Sequence, residues 1–553
     1  MKTIGMTQTQ NKTQGHNKGR SLKLVVMMVL AMLMSMPMLA SEDVVEIDGI
    51  CYLLDEETKT AMVIENPHGN RGDLIIPETI ENDGIPYSVT SIGGWVFWSC
   101  GDVTSVTIGN NVKSIGEYAF SSCNALTSVT IGNSVTRIEK NAFSQCRILP
   151  SVTIPNSVTC IEDEAFRGCW NLSSITIPSS VTSIGSGLLH SCIGLTSINV
   201  EAGNTKYDSR DNCNAIIETE SNALIAGCPN TIIPQSVTSI GKGAFCAQWD
   251  MPSMTIPYGV TSIGDEAFSD CDGLTTIEIP NSVTSIGEYA FDNCSNLTSI
   301  TIPNSVVSLG KSAFQSCGLT SVIISNSLTS IEDYTFNYCD ALTSVTIPLG
   351  VISIGEDAFS CCSSLTSVTI PRSVTNIERR AFVACTSLTS VTIPNSVMSI
   401  GYDAFYYCKS LTSVTIGNGL TSIGESAFSN CTSLTTIKSL NSTPPLCVLY
   451  DDGTGSQFDS VDKTNCVVWV PGGSGKAYQD ASVWKEFNSI KELPLGDVNA
   501  DLEVNKTDLD ATIDFVMAKE PENFYENLGD LNDDQKVNVA DVVKMVDLQK
   551  TAE

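Results

Sequence analysis

The amino-acid sequence predicts an α/β repeat solenoid followed by a small all-α C-terminal unit. Three observations carry this reading. A 23-residue pattern recurs 14 times, 13 of the 21 cysteines fall in one column of that pattern, and two D-x-N-x-D segments lie 33 residues apart near the C-terminus. A fixed period is the mark of stacked supersecondary units. Composition agrees: 30 Lys+Arg against 61 Asp+Glu give a net charge of −31, yet only 16% of residues are charged, so Ser, Thr and Asn must supply the polar surface. That acidity argues against nucleic acid and anionic membrane, which reward clustered cations. His16, His68 and His190 are the only histidines, which removes histidine triads and histidine-rich metal sites.

Residues 1–40 read as an export signal. Lys2, Lys12, Lys18, Arg20 and Lys23 precede an apolar run from Leu24 to Leu39, and Ala40-Ser41 follows. This basic, apolar, small-residue order is that of a secretory leader, and the run is shorter than a membrane span requires. The chain is thus expected outside the cell, with no transmembrane anchor. Residues 41–88, with DGICYLLDEETKTAMVI and LIIPETI, read as a β cap on the open solenoid end. Arg71-Gly72-Asp73 reads as the turn before Leu74 rather than as an adhesive tripeptide.

Residues 89–437 carry the repeat, as in LTSVTIGNSVTRIEKNAFSQC and LTSVTIPRSVTNIERRAFVAC. The aromatic position runs from Phe97 to Phe428, with Leu189 in one unit, one residue missing between Phe314 and Phe336, and 33 extra residues between Leu189 and Phe245. Leu126, Val129 and Ile131 alternate inward on a short strand, and Val135 and Ile138 return to the core. The G-E-x-A-F piece is expected to make one helical turn, with Glu117, Glu288, Glu356 and Glu425 at its amide-rich start. One coil cannot bury its apolar face, but stacked coils can. At the spacing of paired strands, 14 coils make a rod of about 65 Å.

Parallel Cβ vectors in a stacked column hold sulfurs too far apart for bridges, so the cysteine column reads as buried thiols. Cys213/Cys228 and Cys447/Cys466 are the pairs that remain for bridging. The outward strand position is Thr in most coils and is broken by Asn199, Glu278, Ile323 and Lys438. Stacked Thr suits lateral packing of strands, and a specific site on this face is expected at Asn199, Glu278 and Ile323. The insertion 201–233 reads as a hairpin projecting from the rod, and 438–494 as strands plus a short helix closing the far end.

The L-x-x-V-x-I pattern is that of leucine-rich repeats. With its A-F-x-x-C continuation it resembles the BspA-like (Treponema-type, 23-residue) leucine-rich repeat family of bacterial surface proteins. The resemblance implies a non-catalytic adhesin that binds a host or bacterial surface protein or a polysaccharide.

The tail 495–553 holds the sharpest chemical motif, and residues 496–553 carry 15 acidic and 5 basic side chains. Asp497, Asn499, Asp501, Glu503 (through its carbonyl), Asn505 and Asp508 stand at positions 1, 3, 5, 7, 9 and 12 of one loop. Asp530, Asn532, Asp534, Lys536 (carbonyl), Asn538 and Asp541 do so in the second. Hard oxygens at those positions wrap Ca²⁺, so two calcium sites are expected. Position 6, usually Gly, is Leu502 or Gln535, which should lower affinity. Each loop leads into an apolar helical segment, and the pair resembles a type I dockerin. That resemblance implies docking to a cohesin-like module or surface scaffold through positions 10 and 11, here Lys506/Thr507 and Val539/Ala540.

An enzyme is not expected, because no segment outside the repeats is long enough for a catalytic domain and the carboxylates recur as surface residues of the coil. The other functional readings are an accessory part of a polysaccharide-degrading assembly and a structural rod in a surface layer.

Overall fold

The computed structural model describes residues 44–65, 71–448, 456–517, 519, 524, 526–529, 531 and 536–552. The leader 1–40 and three expected ligands, Asp530, Asn532 and Asp534, lie outside the described residues.

The chain winds short strands into a β-solenoid of about 17 turns. Each coil lays down two strand segments. One is a two-residue Ser-Ile pair, and these pair in parallel from coil to coil, as Ser262↔Ser285 and Ile263↔Ile286. The other is the Ser-Val-Thr segment, paired likewise, as Ser344↔Ser367, Val345↔Val368 and Thr346↔Thr369. Alternation decides what each buries: Val345 is in the core while Ser344 and Thr346 face out.

The A-F segment is not the helical turn expected from the sequence. Among the described residues, 44–474 contain no α-helix. Successive amides alternate in direction instead. Ala119 N–H bonds back to the Gly116 carbonyl and Ser121 N–H to that of Tyr118, whereas Tyr118, Phe120 and Ser122 donate forward to Lys140, Ala142 and Ser144 of the next coil at 2.8–2.9 Å. Tyr118 and Ser122 reach this pattern with φ of 55° and 63°. A helical turn must satisfy its amides along the chain. Here a neighbouring coil stands within hydrogen-bond reach, and that partner wins. Two of the positions expected at a helix start, Glu288 and Glu356, instead donate their backbone amides to Asp265 and Asp333, which hold the same template position in the preceding coil, each at 3.0 Å. The template glycine is needed for close approach, since a Cβ at Gly310 would lie 2.4 Å from the Glu288 nitrogen.

Inside, the phenylalanines form a ladder with ring centroids 5.1–5.8 Å apart. Leu189 interrupts it, and the apolar interior divides there into an N-terminal block reaching Cys228 and a C-terminal block starting at Cys213. The insertion 201–233 supplies the junction. It does not project from the rod: Ala215–Glu218 and Ala223–Gly227 pair antiparallel, and Leu224 then pairs with Ile240 of the next coil. Ile216 faces the first block while Ile217 and Leu224 face the second, all fully buried. Both faces of this hairpin are apolar, which is why it is taken into the stack.

All 21 cysteines are free. Along the column from Cys123 to Cys431 each thiol donates to a phenylalanine carbonyl in the preceding coil, as Cys146 Sγ to Phe120 at 3.2 Å and Cys317 Sγ to Phe291 at 3.0 Å. The two pairs kept open for bridging are unbridged; Cys213 and Cys228 bond to the carbonyls of Ala215 and Asn214. Burial pushes the Cys123 thiol up to about 12 and raises that of Cys146 well above its ordinary value. Thiolate is the reactive form, so these groups are inert in the folded rod. Only Cys100, Cys160, Cys361 and Cys447 are part-exposed. A native-state thiol assay should therefore register at most these four, and the same assay in guanidinium all 21.

The N-terminal end is covered by Val44–Ile47, Ile50–Asp55 and Thr60–Ile64, an antiparallel meander whose last strand pairs in parallel with Ile85–Ile92. Arg71-Gly72-Asp73 sits in the sheet, with Gly72 opening the strand Gly72–Ile76 and the Asp73 carboxylate accepting the hydroxyls of Thr104 and Ser105. At the C-terminal end, Val467–Val470 and Ser489–Glu492 extend the Ser-Val-Thr sheet. The helix Gly475–Asp480 lies between them. Helices follow at Lys506–Val516, Glu526–Gly529 and Val539–Ala552.

Candidate functional site

Two regions place chemistry at the surface: the strand face of the rod and the Asp-rich loop 497–508.

The coil carries several hydroxyl columns, and they are not equivalent. Thr127 donates its hydroxyl to the Thr104 carbonyl one coil back, and Thr261 does the same to Thr238. The columns these two represent are spent on holding the stack together. The outward Thr of the Ser-Val-Thr segment behaves otherwise. Thr130, Thr255, Thr301, Thr346, Thr369 and Thr392 are exposed. Among the described residues none of these six hydroxyls bonds to protein, so each keeps its donor for a ligand. Exposed Ser stands two residues earlier in most coils, giving two parallel rows along one face.

The expected breaks in that face fall in two places. Glu278 pairs with Thr255, and Ile323 pairs with Thr301. They stand on either side of the Thr301 coil, both outward, with Ile323 65% exposed. Asn199 is apart from them. It pairs with Thr176 at the end of its own sheet, before the insertion. The face also ends sooner than the sequence suggests. Thr415 and Lys438 are half-buried, and Lys438 Nζ donates to the carbonyl of Ala500 at 2.5 Å. Lys438 interrupts the Thr column because it reaches the tail, a role the sequence signals only as an irregularity.

In the first loop the carboxylates of Asp497, Asp501 and Asp508 converge, one oxygen of each lying within 4.8 Å of the others. Backbone amides fix them. Asp497 accepts the amides of Asp501 and Leu502 at 2.9 and 2.8 Å, Asn499 also accepts that of Asp501, and Asp501 accepts that of Glu503. Asp508 accepts the Asn505 amide, and Asn505 caps the helix Lys506–Val516 by accepting from Thr507. The second loop repeats the part that is described: Asp541 accepts the amides of Asn538 and Leu531, and Asn538 accepts that of Ala540. Lys506 and Thr507, and Val539 and Ala540, stand exposed at the starts of the two helices. Lys506 is ion-paired to Asp510.

Burial, with Asp508 and Asp501 close by, pushes the Asp497 carboxyl up to about 6. Burial raises Asp508 too. Such a group gains most from a cation that replaces its lost hydration. Three converging carboxylates and a nearby carbonyl and amide set are hard oxygen donors, so the residues fit a calcium ion and offer nothing for a soft metal.

Leu502 takes φ of +77° at position 6, where the turn needs a left-handed residue. Strain of about 1 kcal/mol is expected for a non-glycine residue there, while its half-buried side chain packs against the small core that contains Val498, Ala500 and Met545. Leu502→Gly relieves the first and loses the second, so calcium affinity should change less than about fivefold. Leu502→Ile keeps the apolar bulk but is branched at Cβ, and titration calorimetry should find binding weakened about tenfold.

Comparison with known proteins covers the rod. The BspA-type leucine-rich repeat region matches in six copies over residues 85–216, 226–343 and 329–444, more than half of the chain. Among solved structures, the chain is similar to a leucine-rich repeat protein from Bacteroides ovatus (30% identity, covering 71% of this chain and 94% of that one, TM-score 0.47). It is also similar to one from Eubacterium ventriosum (23%, 64% and 91%, TM-score 0.49). A third is a leucine-rich cell-surface protein from Faecalibacterium prausnitzii (25%, 72% and 95%, TM-score 0.34). No curated protein matches. The family match stops at residue 444, before the Asp-rich loops.

Proposed function

The chain belongs to the BspA-type leucine-rich repeat family, and we propose that it is an exported, non-catalytic binding protein of the bacterial surface. In this reading the Ser and Thr rows recognise a macromolecule, a surface protein or a polysaccharide. The tail binds two calcium ions and docks the rod to a cohesin-type partner or scaffold. The observation that carries the first half is the division of labour among hydroxyl columns. Those that hold the stack donate to carbonyls, while the six outward Thr hydroxyls named above make no hydrogen bond to protein among the described residues, which leaves shallow, equally spaced donors suited to an extended ligand. The second half is supported by the converging carboxylates of the first loop and by the exposure of Lys506, Thr507, Val539 and Ala540. Among the described residues no helix is long and apolar enough to cross a membrane, which agrees with attachment through a partner.

The test is capture by the chain without its leader of purified matrix proteins, polysaccharides and a cohesin, with calcium and with chelator. Capture of a matrix protein or polysaccharide that survives chelation, together with cohesin capture that chelation abolishes, is the expected pattern. No capture of any of these would remove the reading.

A further inference from the structure

We infer that the strand face ends in a seat for the first calcium loop, and that calcium in that loop holds the tail on the rod. The inference rests on the reading of residues 497–508 as a calcium site.

The outward column runs in register through Thr392, Thr415, Lys438, Trp469 and Lys491. From Lys438 onward it turns from a hydroxyl row into an anchoring surface. Lys438 donates to the carbonyl of Ala500. Trp469 packs against a small core made by Leu440 and Leu493 of the rod's end and by Val498, Ala500, Leu528, Leu531 and Met545 of the tail. The Lys491 ammonium lies 5.4 Å from the centre of the Trp469 ring, a distance at which the pair attracts.

The loop sequence explains how an ion could act on this contact. Asp497, Asn499, Asp501 and Glu503 hold the expected ligand positions, and Val498, Ala500, Leu502 and Val504 alternate with them. All four apolar residues belong to the core shared with Trp469 and Leu440. One short stretch thus sends the Asp497 and Asp501 carboxylates to the cluster with Asp508 and its apolar residues to the core shared with the rod's end. Fixing the first set fixes the second. The second loop lacks this design, with Asp533 and Gln535 at the places of Ala500 and Leu502. Among the described residues the second loop adds Leu531 to the same core, without the run of four alternating apolar residues that the first loop supplies.

Hydrogen exchange of the full chain without its leader tests this, with calcium and with chelator, while calorimetry on the same sample measures binding. Strands Thr436–Ser439 and Val467–Val470 should exchange more slowly with calcium, by up to about a hundredfold at a hundred times Kd, while Ser344–Thr346 in mid-rod stays unchanged. Coupling is reciprocal. Lys438→Met should therefore weaken calcium binding at the first loop about three- to tenfold and shrink the calcium effect on those strands by the same factor. Lys438→Arg, which keeps a donor, should retain both. Calcium binding with no change in exchange at the two strands would overturn the inference and leave the calcium site standing. Absence of any binding heat would overturn both.

Discussion

Replacing Phe291 with alanine is expected to destabilise the rod by about 4 kcal/mol, as for a fully buried aromatic. The ring is fully buried and stacks on Phe268 and Phe314 at 5.2 Å on each side. Its removal leaves a cavity that the stack cannot close, because the coils above and below are held at strand spacing by hydrogen bonds on all sides, including Phe291 N–H to Ala313 and Phe268 N–H to Ala290. The loss should be local. Repeat stability is a sum of neighbour terms, so hydrogen exchange should rise first in the coils around residue 291 and least beyond the junction at Leu189, where the ladder is already broken. Leu189→Ala removes a smaller side chain, at the point where the ladder is already interrupted, and should cost less, about 2–3 kcal/mol. Urea denaturation of the three proteins measures both.

The second large effect is expected at Asp497. Its carboxylate is buried, sits with those of Asp501 and Asp508, and accepts two loop amides. Asp497→Ala removes a charged ligand and the acceptor that shapes the turn. Calorimetry should find binding stoichiometry fall from two ions to one, with affinity at the first loop reduced by more than about a hundredfold, or about 2.7 kcal/mol. Asp497→Asn keeps an acceptor for the amides but loses the charge, and should fall between. A stoichiometry of two in the alanine protein would contradict the assignment of loop 497–508.

Much of this molecule is legible in the sequence because one template is written 14 times. The inward columns at Val129, Ile131, Phe143 and Cys146 and the outward Thr can be placed by alternation alone. Inert thiols follow from stacking geometry. The misread parts share a cause: each depends on a partner from another coil. G-E-Y-A-F looks like a helical turn while its amides are considered along the chain, but Phe120 N–H finds Ala142 across the stack. The insertion looks like a projecting hairpin until both of its faces prove apolar and each meets a different half of the core. The seat for the tail is the hardest to foresee. Lys438 shows in the sequence only as a break in the Thr column and Trp469 is unremarkable in its own segment, and only the alternation of ligands and apolar residues from Asp497 to Val504 hints that the loop has a second face.

In the proposed function the outward Ser and Thr rows form the recognition face. The most direct measurement is the affinity of the full chain without its leader for whichever matrix protein or polysaccharide it captures, compared with that of a Thr301→Asp, Thr346→Asp, Thr369→Asp triple variant. These side chains are exposed and hold no part of the stack, so the fold should survive. Binding should weaken at least about a hundredfold, from three added charges each worth about 1 kcal/mol or more. An unchanged affinity in a folded variant would contradict it and move recognition to another side of the rod.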